Sequence, residues 1–286
     1  MLPDSLRAAL ARVLGATIRS VDPVGGGDIN RAARIVADGQ CYFVKWNLRR
    51  LPGMFAAEAH GLRLLRSANA VRVPEVIASI DDPPALVLEW IESRGSKSDA
   101  AESLGEQLAR QHRVLGQTYG LDHDNYIGSN PQINRPSSSW IDFFRDQRLA
   151  HQMELAGRNS RLTAQRRSRL ERVMSRLPEW IDESTCAPSL LHGDLWSGNV
   201  MSGLEGEPIL IDPAVYFGDR EAEIAFTELF GGFGPRFRAA YKAAWPLASG
   251  FAERRDLYNL YHLLNHLNLF GEGYGGGVDV ILQKYV

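Results

Sequence analysis

Leucines 6, 10 and 14 fall on one helical face behind Asp4, a residue suited to cap the first turn, and Gly15 supplies the stop. The period then changes. Residues 18–24, 29–37 and 40–46 read as strands, the first two separated by Gly25-Gly26-Gly27-Asp28 and the last two by Asp38-Gly39, a strong hairpin signal. Helical spacing returns over 54–67, with Leu62 and Leu65 in an apolar stripe. Two more strand-like runs, 75–80 and 85–91, flank the turn sequence Asp81-Asp82-Pro83-Pro84, and the polar stretch 92–99 follows them.

From Ala100 the spacing is helical, Leu104, Leu108, Ala109 and His112 recurring every three to four residues. A long polar loop is expected over 121–136, then helices over 140–156 and 162–180, with Trp140, Phe143 and Phe144 in the core. Residues 190–200 read as strand, polar loop and strand, and 208–212 as a short apolar run ending in an aspartate. Helices starting near 219, 236 and 252 follow, and 271–277 is expected to be a mobile glycine-rich loop before a short last helix. This order predicts an α+β chain: a small antiparallel sheet in residues 1–91 and a larger, mainly helical part in residues 92–286, with a hinge between them.

A length of 286 residues, 44% of them hydrophobic and 23% charged, allows a sizeable core, and a net charge of −2 leaves no footprint for nucleic acid. Cys41 and Cys186 match neither a redox pair nor a zinc spacing, which suits a reducing cytoplasm. The first residues lack a basic segment followed by an apolar one, and no run approaches the roughly 18 apolar residues of a membrane span. Neither export nor membrane insertion is expected.

The candidate chemistry centres on Leu190 to Val200, LLHGDLWSGNV. In phosphoryl transfer an aspartate accepts the proton of the attacking hydroxyl while an asparagine five residues on holds a magnesium ion against the phosphate. Asp194 and Asn199 have that spacing, and Asp212 stands where a second metal-binding carboxylate should follow. Asp194 and Asn199 alone also suit a turn between two short strands; Asp212 weighs against that simpler reading. Lys45 ends an alternating strand, where an inward lysine needs an anionic partner, and Glu58 in the next helix is the candidate. The alternative is a lysine in solvent. Gly25, Gly26 and Gly27 would let backbone amides approach phosphate oxygens, although a glycine-rich hairpin tip is also an ordinary turn. Peptide groups of Glu89, Trp90 and Ile91 at the hinge are placed to meet an adenine edge. His262 and His266 lie one helical turn apart, but without an evident third ligand packing is expected rather than a metal.

Together these residues resemble the fructosamine kinase (ketosamine 3-kinase) family, within the aminoglycoside-phosphotransferase-like branch of the protein-kinase-like fold. HGDLWSGN at 192–199, IDPAVYFGDREAEIA at 211–225, DNYIGSNPQ at 124–132, AEAHGLRLL at 57–65 and YHLLNHLNLFG at 261–271 carry the resemblance, which extends over nearly the whole chain. It implies a two-lobed protein-kinase-like fold. It also implies phosphorylation, with ATP and Mg²⁺, of the 3-hydroxyl of a ketosamine, the adduct of a sugar on a free or protein-bound amine, after which the product sheds its sugar. By position in the motifs, Asp194 would be the base, Asn199 and Asp212 the magnesium ligands, and Lys45 the phosphate contact with Glu58 as its partner. Trp196 and His192 would meet the substrate, Trp196 against the sugar or its amine substituent.

The chain departs from some family members in having glycines where they carry a cysteine, so a redox switch in that loop is not expected here. No D-F-G or A-P-E segment follows Asp212, which precedes Pro213. A choline or aminoglycoside acceptor would leave much the same catalytic core. A metal-dependent phosphohydrolase would need more His and Asp ligands than cluster here, and a non-catalytic nucleotide-binding protein would not need every catalytic residue type.

Overall fold

The structure, a computed structural model, describes residues 2–25, 30–47, 51–93 and 100–286. Helix α1 (Asp4–Leu14) precedes strands β1 (Ile18–Val24), β2 (Arg31–Ala37) and β3 (Gln40–Trp46); helix α2 (Met54–Ser67) and strands β4 (Val76–Ile80) and β5 (Ala85–Glu89) follow. The five strands form one antiparallel sheet in the order β1-β2-β3-β5-β4. Asp38 (φ 45°) and Gly39 (φ 86°) take the left-handed conformations that a two-residue hairpin turn requires.

Alternation along the strands gives the sheet two different faces. Ala85 and Val87 of β5 pack with Leu6 and Leu10 of α1 on one side. Leu86 and Leu88 join Phe55, Leu62 and Leu65 of α2 on the other. In β3 the same alternation sends Val44 toward α1 and Lys45 toward α2.

The α2 side of the sheet shares its apolar cluster with Leu104 and Leu108 of helix α3 (Ala101–His112) and with Leu190, Val200 and Leu210, so hydrophobic packing runs from the sheet into the helical part. Arg72 adds a polar tie. Its carbonyl accepts the Leu210 amide at 2.9 Å, and its guanidinium reaches Glu89 at 2.7 Å and Glu207 at 2.6 Å.

The segment expected to be a long loop instead contains a small hairpin, β6 (Asn125–Ile127) and β7 (Asn130–Gln132). Side-chain amides hold it: Asn125 Nδ2 donates to the Val215 carbonyl at 2.7 Å, and Gln132 Nε2 to the Ala214 carbonyl at 2.9 Å. Buried amides have no hydropathic period, which is why the apolar pattern does not mark this element.

Helices α4 (Trp140–Phe143) and α5 (His151–Arg158) are one helical run, joined by a π-helical turn, Phe144–Ala150. Helix α6 (Ala164–Ser175) follows, then four short strands: β8 (Ser189–Leu191), β9 (Val200–Ser202), β10 (Pro208–Leu210) and β11 (Tyr216–Gly218). They pair as β8 with β11 and β9 with β10. Helices α7 (Arg220–Leu229), α8 (Pro235–Ala244), α9 (Phe251–Phe270) and α10 (Gly275–Lys284) complete the chain.

The glycine-rich stretch expected as a mobile loop differs as well, because Gly275, Gly276 and Gly277 open α10. Arg166 fixes this junction through ion pairs to Glu272 (2.7 Å) and Asp279 (2.9 Å). Among the described residues, no helix is long and apolar enough to cross a membrane.

Candidate active site

The loop between β8 and β9 carries Asp194. Gly193 precedes it with φ 83°, and a β-carbon there would stand 2.0 Å from the Ala214 carbonyl oxygen, so the backbone passes where only glycine fits. Asn199 Nδ2 donates to the Asp194 carbonyl at 2.8 Å and to Asp194 Oδ2 at 3.2 Å, fixing the carboxylate.

His192, expected beside the substrate, is instead fully buried beneath the loop. Its Nε2–H donates to the Ile211 carbonyl at 2.9 Å, and Nδ1 accepts the Asp194 amide at 3.3 Å. Both ring nitrogens are thereby committed to backbone, which suits a neutral ring, and burial holds the imidazole pKa below its ordinary value.

Glu223, on α7, was not anticipated as a site residue. Its carboxylate accepts the amides of Gly193 (2.6 Å) and His192 (3.2 Å) and meets His112 Nε2 at 2.9 Å. His112 Nδ1 in turn meets the Tyr241 hydroxyl at 2.8 Å. Burial opposes the charge on Glu223, but the contacts to His112, His192 and the Gly193 amide outweigh it and hold its pKa below the usual carboxylate range. The available sequence signal was an acid within the otherwise apolar run at 222–226, where a buried carboxylate must be satisfied from another element.

Lys45 is almost fully buried, its ammonium in contact with Glu58 and 2.7 Å from Asp212 Oδ1. Burial alone would lower the lysine pKa; the two carboxylates reverse that and raise it above its ordinary value. Burial pushes Glu58 up to about 7, although the ammonium pulls against that rise. With the charges in direct contact, the ionised pair is the state this geometry favours. Asp212 sits at φ 54°, a left-handed conformation uncommon outside glycine. Burial raises its carboxyl, but Lys45 overrides this and holds it below the usual range. Asp194 behaves oppositely: burial, aided by the charges of Asp212 and Glu223, pushes its pKa up to about 7.

These groups line one cleft of about 780 Å³. Gly25, Glu89, Trp90 and Ile91 line it from the sheet side; Gly26 and Gly27 lie outside the described residues. The Glu89 carboxylate is already taken up by Arg72 and by the Glu75 amide at 3.1 Å, which leaves backbone as the hydrogen-bonding surface of this edge. Trp196, on the same loop as Asp194, lines the cleft and is 40% exposed, and Phe230, His266, Phe270 and Tyr274 form an aromatic cluster that lines it too. The two histidines of α9 have separate roles: His266 faces the cleft, whereas His262 is buried in a stack on Phe226 with ring centroids 3.5 Å apart.

Asp194 therefore faces an open cleft near neutral pKa, beside an ion-paired ammonium and two oxygen donors. Neither Asn199 Oδ1 nor Asp212 Oδ2 accepts a hydrogen bond among the described residues, and an amide and a carboxylate oxygen form a donor set suited to a hard divalent cation.

The sequence profile described as fructosamine kinase matches residues 4–286. A candidate ketoamine kinase from Lactiplantibacillus plantarum is 42% identical over 278 residues, covering 96% of this chain and 98% of that protein. The chloroplastic protein-ribulosamine 3-kinase of Arabidopsis thaliana is 38% identical over 275 residues, covering 94% and 83%. The crystal structure of a candidate fructosamine-3-kinase from Thermobifida fusca superposes with a TM-score of 0.89 at 33% identity, covering 99% of each chain. An aminoglycoside phosphotransferase crystallised with AMP-PNP and hygromycin B, at 16% identity and a TM-score of 0.69 over 98% of each chain, shares the fold alone. The chain belongs to the fructosamine kinase family.

Proposed function

We propose that the chain uses ATP to phosphorylate the sugar 3-hydroxyl of ketosamines, and that the unstable product then sheds its sugar and returns the amine. One observation carries this reading: a single cleft gathers Asp194 and Asn199 of the β8–β9 loop with Lys45 of β3 and Asp212 after β10, and Trp196 of the same loop also lines it. On this reading residues 1–91 are the nucleotide-binding lobe and residues 92–286 the catalytic and substrate-binding lobe.

Asp194 accepts the proton of the sugar hydroxyl, a task matched by a pKa of about 7. Lys45, held by Glu58, orients the phosphates, with the amide of Gly25 beside them and the backbone of Glu89, Trp90 and Ile91 at the adenine edge. Asn199 and Asp212 hold Mg²⁺, which when bound offsets phosphate charge. Trp196 covers the apolar face of the adduct. His192 acts from beneath the loop, by positioning Asp194. The name of the Arabidopsis relative favours a protein-bound ribulosamine among the substrates. Neither Cys41 nor Cys186 is in a disulfide, which suits a reducing cytoplasm.

The test is ADP release by the purified protein with Mg²⁺-ATP, comparing fructosyl-lysine and ribulosyl-lysine with choline and an aminoglycoside. Stimulation by a ketosamine alone supports the proposal and ranks the sugars. Stimulation by choline or the aminoglycoside alone overturns it in favour of another hydroxyl acceptor on the same core.

A further inference from the structure

Outside the cleft, α2 and the segment before β6 bring two imidazoles and a carboxylate together. His60 Nε2 lies 3.9 Å from Asp122 Oδ1, and His123 Nδ1 lies 2.6 Å from the same oxygen. One donor atom from each residue falls within 4.8 Å of the others. The two rings meet edge to face with centroids 4.4 Å apart. The side chains are 43%, 74% and 35% exposed, so water can reach the point between them.

The backbones that carry these groups are held independently. On α2, Ala59, Gly61 and Leu62 around His60 are buried. On the other side, Asn134 Nδ2 donates to the His123 carbonyl at 3.3 Å, and the Asn134 amide donates to Asp124 Oδ1 at 2.8 Å. The Tyr126 hydroxyl donates to the Pro52 carbonyl at 2.8 Å, tying the hairpin to the chain just ahead of α2. Ligands on fixed backbones lose little on closing around an ion.

We propose that His60, Asp122 and His123 form a binding site for one divalent transition-metal ion of the zinc class, with water completing the coordination. Two nitrogens and one carboxylate oxygen are the donors such ions prefer, whereas magnesium takes oxygen. His60 coordinates through Nε2 and His123 through Nδ1, which requires the His123 proton to reside on Nε2 and the present contact to Asp122 to be replaced by the shared ion. Arg63 nearby carries a like charge that opposes the cation; Asp122 and solvent offset it. A bound ion would staple α2, and with it Glu58, to the 121–124 segment. The site is separate from the magnesium ligands and does not depend on the acceptor of the kinase.

The experiment titrates chelator-treated protein with Zn²⁺ by calorimetry, with Co²⁺ absorption as a second probe of nitrogen and oxygen ligation, and follows Tm with and without the metal. The expected result is one Zn²⁺ per chain and a Tm that rises with Zn²⁺. His60→Ala and His123→Ala should each weaken binding by about tenfold or more, as even outer-shell changes at metal sites often do, and abolish the rise in Tm. His60→Gln, which keeps a polar side chain on α2, should fail in the same way while its Tm without metal stays near that of the parent chain. No stoichiometric binding by the parent chain would overturn the proposal. So would undiminished binding by the His60→Ala/His123→Ala double variant, which would place the ion elsewhere.

Discussion

The indole of Trp196 folds back over Gly198, so closely that a β-carbon at position 198 would come within 2.1 Å of the ring. Glycine at 198 therefore sets where the most exposed aromatic side chain of the catalytic loop can lie. Gly198→Ala is expected to displace the indole into the cleft, raising KM for a ketosamine while leaving KM for ATP nearly unchanged. A misplacement of about 1 Å can cost up to 10²-fold in kcat/KM, and steady-state kinetics with each substrate varied in turn checks it. Equal changes in both KM values would show that Trp196 does not define an acceptor surface.

Glu223 offers a different kind of test, since it touches the loop through backbone amides alone. Glu223→Gln keeps the size but replaces one accepting oxygen by a donor, leaving a loop amide or His112 without its partner. A buried unsatisfied group costs about 1–3 kcal/mol, so chemical denaturation should show a loss of that order. The catalytic effect should fall on kcat more than on nucleotide affinity. An unchanged kcat would mean that the loop keeps its geometry without the brace.

Asp194→Asn should reduce turnover by roughly 10²- to 10⁴-fold, the usual range for a lost general base, with ATP binding retained. The raised pKa adds a signature in pH. Activity of the parent chain requires ionised Asp194, so kcat/KM should climb as pH rises through about 7. Stability should run the other way: between the ordinary aspartate pKa of 3.8 and about 7 the folded chain keeps a proton that the unfolded chain has lost, so this group's contribution declines as pH rises across that window. Asp194→Asn removes the titration. Its Tm should exceed that of the parent most at pH 8 and least near pH 4, and a constant difference across that range would contradict the assignment.

Lys45→Met removes the ammonium shared by Glu58 and Asp212 and leaves two carboxylates facing each other. Glu58 should then take up a proton at neutral pH. Loss of one preorganised electrostatic donor typically costs about 10²–10³ in kcat, and KM for ATP should rise as well. Single-turnover kinetics with nucleotide binding measured separately distinguishes the two effects; full activity would exclude Lys45 from phosphate orientation.

The sequence made the sheet, its hairpin turn and the spacing of Asp194, Asn199 and Asp212 legible because each rests on local rules: alternation, a two-residue turn, or a fixed offset along the chain. The Lys45 and Glu58 pair was reachable from the same logic, since an inward strand lysine demands an anion. What escaped was held by long-range polar contacts. Glu223 finds His112 across 111 residues, and Gln132 finds the Ala214 carbonyl across 82, with no periodic trace of either at home. His192 was misjudged for a related reason: its motif fixes its place in the chain, whereas its burial depends on Ile211 and Asp194 closing over both ring nitrogens.

The stretch between Asp212 and α7 is short and pinned along its length. The Ala214 amide donates to the His192 carbonyl at 2.9 Å, β11 pairs with β8, and Asn125 and Gln132 occupy the next carbonyls. Signalling kinases place in this position a swinging arm that can be locked open or shut. Here the same stretch is tied to β8 and to the β6–β7 hairpin, so its place beside Asp212 is set by the fold itself. On the proposed function, nucleotide and glycated amine would meet a segment that is already in place, with no ordering of it to be completed before transfer.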